Sequence, residues 1–64
     1  MHALTHTISG TKERLEFGSR QTVYNEINAG RLESYKVGRR RFVSEEACVK
    51  YVRAREAEAR RSVA

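Results

Sequence analysis

Proline and tryptophan are absent from this 64-residue chain, cysteine occurs once, and no apolar run approaches the length of a membrane span. Each absence excludes something. Without about 18 consecutive apolar residues nothing reads as a transmembrane helix, and the first residues lack the apolar segment of a secretory leader. The lone Cys48 has no partner for an internal disulfide, which fits a reducing cytoplasm. A chain this short buries only about 60% of the surface its unfolded form exposes, so one small domain without a large catalytic cleft is expected. No phosphate loop, zinc cluster or nucleophile–base pair stands in the sequence, and Glu45/Glu46 and Glu56/Glu58 are placed as ordinary helix charges. Neither enzymatic activity nor a cofactor is therefore expected. His2 and His6 can share one face, but no cysteine or carboxylate lies nearby in sequence to complete a metal site, and metal binding is not expected.

What the chain has in excess is positive charge, net +5, and it is unevenly spread. Residues 1–18 balance to zero, residues 19–43 carry six bases against two acids, and residues 44–64 carry five against four. The middle third therefore points to an anionic partner.

That middle third is organised around residues 18–32. Ser19 is an N-cap whose hydroxyl can accept from the backbone N–H of Gln21 or Thr22, and Gly30 is the matching stop. Val23 and Ile27, four apart, face the core, with Leu32 arriving just after the stop. The other side carries Arg20, Gln21, Tyr24, Asn25 and Asn28, with no acid in its first two turns. A short capped helix with donors and acceptors crowded at its N-terminal end is one that a DNA major groove accepts.

Upstream, residues 1–7 show no sustained period and are expected to be a loose N-terminus. Ser9 is the expected cap of a first helix running to about Phe17, with Ile8, Leu15 and Phe17 buried and Gly18 making the turn into Ser19. Downstream, Tyr35–Val37 and Phe42–Val43 have strand character around Gly38-Arg39-Arg40, which predicts a hairpin with three consecutive arginines at its tip. A three-residue loop groups Tyr35, Val37, Arg41 and Val43 on one face; a two-residue loop groups Tyr35, Val37, Arg40 and Phe42. Ser44 then caps a third helix, with Glu45 and Glu46 where the helix dipole favours acids. The stripe Ala47, Cys48, Tyr51, Val52 and Arg55 is expected to close the core, Cys48 as a small buried hydrophobe. From Arg53 to Arg61 only Ala, Glu and Arg occur, which favours a helix with no apolar face, projecting from the domain.

The order helix, helix, hairpin, helix is that of a small α+β winged helix. The residues Gly18-Ser-Arg-x-Thr-Val-Tyr24, Gly30-Arg-Leu32, Val37-Gly-Arg-Arg40 and Ser44-x-Glu46-Ala47 resemble the winged-helix family of phage excisionases and MerR-like DNA-binding domains. The likeness covers about residues 8–52. It departs at Arg41, where the family commonly has an aromatic, and at Phe42, where it commonly has a basic residue. The resemblance implies a winged-helix domain over residues 8–53, preceded by a flexible 1–7 and followed by a charged helical extension over 54–64. It implies a major-groove set of Ser19, Arg20, Gln21, Thr22, Tyr24 and Asn25, with Gln21 and Asn25 reading base edges. It also implies a two-stranded wing whose Lys36, Arg39, Arg40 and Arg41 meet the minor groove and phosphates, Arg39 inserting.

Within that family a domain this small, without an effector domain, most resembles an excisionase, or recombination directionality factor. Such a protein loads cooperatively on tandem DNA sites in an attachment region, bends the DNA and steers a phage integrase toward excision, in the cytoplasm of the bacterial host. A small winged-helix repressor is the alternative. An adaptor using its arginines on an acidic protein, and an RNA-binding protein lacking any aromatic stacking platform, are weaker ones.

Overall fold

The computed structural model describes residues 4–62. The chain runs β1 (Thr5–Thr7), α1 (Ile8–Arg14), α2 (Arg20–Asn28), β2 (Tyr35–Val37), β3 (Arg40–Ser44) and α3 (Glu45–Ser62). The fold is α+β: three helices and a three-stranded antiparallel sheet in the order β1-β3-β2.

The N-terminal stretch departs from expectation. Thr5–Thr7, expected to be loose, pairs along β3 with Thr5 opposite Ser44, His6 opposite Val43 and Thr7 opposite Phe42. Three residues are too few to show a period, and the edge they complete belongs to a strand nearly forty residues away. The strand runs straight into α1, so Thr7 rather than Ser9 is the N-cap; its hydroxyl accepts from Gly10 N–H at 3.0 Å.

The same helix ends early, at Arg14, because Glu16 turns left-handed with φ +55°. Phe17 N–H then reaches back to Lys12 O at 2.9 Å and Glu16 N–H to Glu13 O at 3.3 Å, a Schellman stop closed by a glutamate. Gly18, expected to supply this turn, is not left-handed. A left-handed non-glycine residue costs about 1–2 kcal/mol. Glu16→Gly is therefore expected to stabilise the fold by about 0.5–1 kcal/mol after the extra freedom of the unfolded chain is subtracted. Thermal denaturation should show a rise of about 3–6 °C; an unchanged or lower midpoint would refute the strain.

α2 matches the sequence expectation at both ends. Ser19 Oγ accepts from Thr22 N–H at 3.3 Å. At the other end Gly30, φ +81°, donates to Ile27 O, and Arg31 N–H to Glu26 O. α3 begins as expected at Ser44, whose hydroxyl accepts from Ala47 N–H at 3.0 Å.

The core gathers Ile8, Val23, Leu32, Val43, Ala47, Cys48 and Tyr51, with Leu15, Phe17, Tyr24 and Ile27 packed partly buried against it. Phe17 meets the edge of the Tyr51 ring at 5.8 Å. The expected stripe of α3 stops at Tyr51: Val52 and Arg55 are exposed, and the exposure continues to Arg61. Burial on α3 is thus confined to about one turn, Ala47 to Tyr51, and the rest of the helix is exposed.

Candidate nucleic-acid interface

The hairpin takes the two-residue loop. Tyr35 pairs with Phe42, Lys36 with Arg41 and Val37 with Arg40, leaving Gly38 and Arg39 as the loop. Gly38 has φ +62° and Arg39 does not share the left-handed region, the sign pattern of a type II′ turn. Of the three arginines expected at the tip, only Arg39 is in the turn; Arg40 and Arg41 lie in β3. The awkward pairing of arginine with aromatics on one face is resolved by contact. The Arg40 guanidinium lies 5.7 Å from the centre of the Phe42 ring, which itself stacks on Tyr35 at 5.8 Å. On the other face Arg41 is half-buried and donates to Ser34 Oγ at 2.7 Å, directly across from Lys36. Two like charges facing each other across a ladder are destabilising in the free protein. The hairpin expected as a two-stranded wing is one part of a three-stranded sheet, because β1 covers the far edge of β3.

On α2 the expected residues divide. Arg20, Gln21 and Asn25 are exposed. Gln21 Nε2 donates to Asn25 Oδ1 at 3.0 Å, so the two amides form one unit with a free carbonyl on one side and free N–H groups on the other. Ser19 and Thr22 are occupied with the cap, their hydroxyls 3.2 Å apart. Tyr24, expected on the polar face, is half-buried against the core, since a large ring at the flank of a short helix gains more by covering apolar neighbours. Among the described residues no hydrogen bond or ion pair joins the α2 group to the hairpin group.

The cations divide too. Lys12, Arg14, Arg31, Lys50 and Arg55 are each in an ion pair, with Glu13, Glu45, Glu26, Glu33 and Glu58 respectively. Arg20, Lys36, Arg39, Arg40 and Arg41 form no ion pair with any described residue, and neither do Arg53, Arg60 and Arg61 of α3. Uncompensated positive charge therefore lies on the start of α2, on the hairpin and along the projecting part of α3. Sequence reading, which counts charges by position, cannot tell Arg31 from Arg39; the difference is made by Glu26.

Two of the paired acids carry the pH response. The Arg31 guanidinium and then the Tyr51 hydroxyl, 2.8 and 2.9 Å away, hold the Glu26 carboxyl down to about 2. Arg14 and then His6 do the same for Glu45, also to about 2. Both values are depressed, so the stability these carboxylates lend is complete above the ordinary value of 4.5 and is lost as the pH falls from there toward 2. The thermal midpoint is expected to drop across that interval, and Glu26→Gln and Glu45→Gln should each flatten the drop. A midpoint independent of pH there would refute the pairing.

His6, whose expected neighbour His2 lies outside the described residues, meets Glu45 and Cys48 instead, 39 and 42 positions away. Among the described residues no helix is long and apolar enough to cross a membrane. No family model, no curated protein and no solved structure matches this chain.

Proposed function

We propose that the chain is a sequence-specific binder of double-stranded DNA with winged-helix architecture, α2 serving as the major-groove helix and the β2–β3 hairpin as the wing. Its role is that of an accessory factor that loads on tandem sites, bends the DNA and directs phage site-specific recombination toward excision. The observation that carries DNA binding is the division of the cations. Five of them, on the α2 start and the hairpin, have no ion-pair partner among the described residues, whereas those around the rest of the core are paired. An anionic polymer supplies what the fold withholds, and it relieves the Lys36–Arg41 repulsion. The excision role rests on the motifs that resemble excisionases. The exposed Arg53, Arg60 and Arg61 of α3, which form no ion pair with any described residue, support contacts between neighbouring copies on DNA.

The Gln21–Asn25 unit suits a base edge, because a carboxamide can both donate and accept, as adenine requires. Gel-shift titration on a fragment with tandem direct repeats should show several complexes filled cooperatively, with mobility that depends on the bend. Gln21→Ala and Asn25→Ala should each cost about 1–3 kcal/mol at the cognate site and little on random DNA. Equal losses on both would remove base reading from α2. Occupation of one palindromic site without bending would leave a repressor, and no retention on any DNA at low salt would refute DNA binding altogether.

A further inference from the structure

Beyond the cationic surface, one side-chain cluster has a chemistry of its own. A ring nitrogen of His6, a carboxylate oxygen of Glu45 and Sγ of Cys48 all lie within 4.8 Å of one another. They come from two elements: His6 from the middle of β1, Glu45 and Cys48 from the first turn of α3, three apart and so on one face of the helix. Pairing of His6 with Val43 fixes the imidazole over that turn, and Leu4 O accepts from Glu45 N–H at 2.9 Å to fix the turn itself. His6 Nε2 lies 2.8 Å from Glu45 Oε1, Cys48 is fully buried, and the other two side chains keep a minor solvent-facing edge.

We propose that His6, Glu45 and Cys48 form a binding site for a thiophilic divalent cation, namely Zn²⁺, built at the junction of β1 and α3. A tetrahedral zinc ion, bonded at about 2.0–2.3 Å, spaces its ligand atoms about 3.3–3.8 Å apart. The donors reach that spacing by adjustments of about 1 Å or less, within the reach of side-chain rotation: the His6–Glu45 pair, 2.8 Å apart, opens slightly, and any separation near the 4.8 Å limit closes in. Imidazole, thiolate and carboxylate together select zinc or cobalt over magnesium or calcium, which take oxygen donors only. Three protein ligands leave the fourth position to water, on the edge where His6 and Glu45 reach solvent.

Binding is balanced in protons. The Cys48 thiol releases its proton to solvent as the metal–sulfur bond forms, and the neutral imidazole offers its bare nitrogen while keeping its proton on the other. Arg14 need not leave. It bonds both carboxylate oxygens of Glu45, Oε2 through Nη2 at 2.7 Å and Oε1 through Nε at 2.9 Å; as Oε1 turns to the metal, Nε shifts wholly to Oε2, 3.2 Å away, and Arg14 orients the carboxylate from behind. The site uses none of the α2 and hairpin residues assigned to DNA, and its test does not depend on DNA.

Co²⁺ alone, added to the reduced full chain, is expected to bind one ion per chain and to produce the near-ultraviolet absorption of a cobalt–thiolate bond, which Zn²⁺ then abolishes. Cys48→Ser should remove the absorption, His6→Ala should weaken Co²⁺ binding at least tenfold, and His2→Ala should change neither. Zn²⁺ at a hundredfold excess over its Kd should raise the thermal midpoint by about 10–20 °C in the wild type and not in His6→Ala. Circular dichroism confirms folding of each variant, and His6, which keeps a solvent-facing edge, carries the test if Cys48→Ser unfolds. No thiolate absorption in the wild type, undiminished binding in His6→Ala, or loss of binding in His2→Ala would each overturn the site.

Discussion

Replacing Arg39, Arg40 and Arg41 together by glutamine is expected to lower DNA affinity about 500-fold at 0.1 M salt while leaving the fold intact. Each phosphate neutralised contributes about 0.9 to the logarithmic salt slope, a factor of about 8 at that concentration, and three contacts multiply to a few hundred. The wild-type slope is expected to be about −4 to −5, from the hairpin and α2 together, and the triple variant should retain about −2. Stability should change by less than about 1 kcal/mol, because loss of the Arg40–Phe42 and Arg41–Ser34 contacts is offset by relief of the repulsion between Arg41 and Lys36, neither of which has an acidic partner among the described residues. This divergence separates a binding surface from a structural one. Arg39 is expected to account for any preference for A·T-rich flanks, since it alone sits in the turn and a narrow minor groove attracts arginine. An unchanged affinity and slope in the triple variant would remove the hairpin from the interface.

Leu32→Ala should be the most damaging single substitution to the fold. Leu32 is 1% exposed and is among the largest fully buried side chains, in a core of seven buried apolar residues among those described. A buried leucine truncated to alanine costs about 2–5 kcal/mol, and a domain of this size holds about 3–10 kcal/mol in total. The thermal midpoint is expected to fall by about 10–25 °C, and DNA binding should vanish with the fold at physiological temperature. Leu4→Ala, at a leucine 86% exposed, should change stability by less than about 0.5 kcal/mol. A loss of only a few degrees in Leu32→Ala would mean that the turn after α2 does not anchor the core.

Leu32 also shows why part of this molecule is readable in one dimension. Its position follows from Gly30, whose missing Cβ permits the left-handed stop that returns the chain to the core. Ser19 and Ser44 are likewise local devices, each capping a helix through an N–H three residues on, and both stand where the sequence places them. Alternation around Gly38 predicts a hairpin, and the same pattern leaves two registers open. Only pairing decides between them, because the two-residue loop lets Arg40 lie over Phe42 and Arg41 reach Ser34.

The elements that escaped sequence reading depend on distant partners. β1 has no period of its own and exists because β3 offers an edge. Glu16 closes α1 although glutamate has no preference for a left-handed backbone, since Phe17 must turn inward to meet Tyr51. Tyr24 belongs to a polar face by count and to the core by packing. Charge shows the same split. The total and its concentration in the middle third are properties of the sequence. Which arginines remain unpaired is a property of the fold, because an ion pair needs two side chains within 4 Å and sequence separation does not measure that distance. His6, Glu45 and Cys48 meet for the same reason: residues on opposite sides of the chain's midpoint are brought together only when the sheet closes.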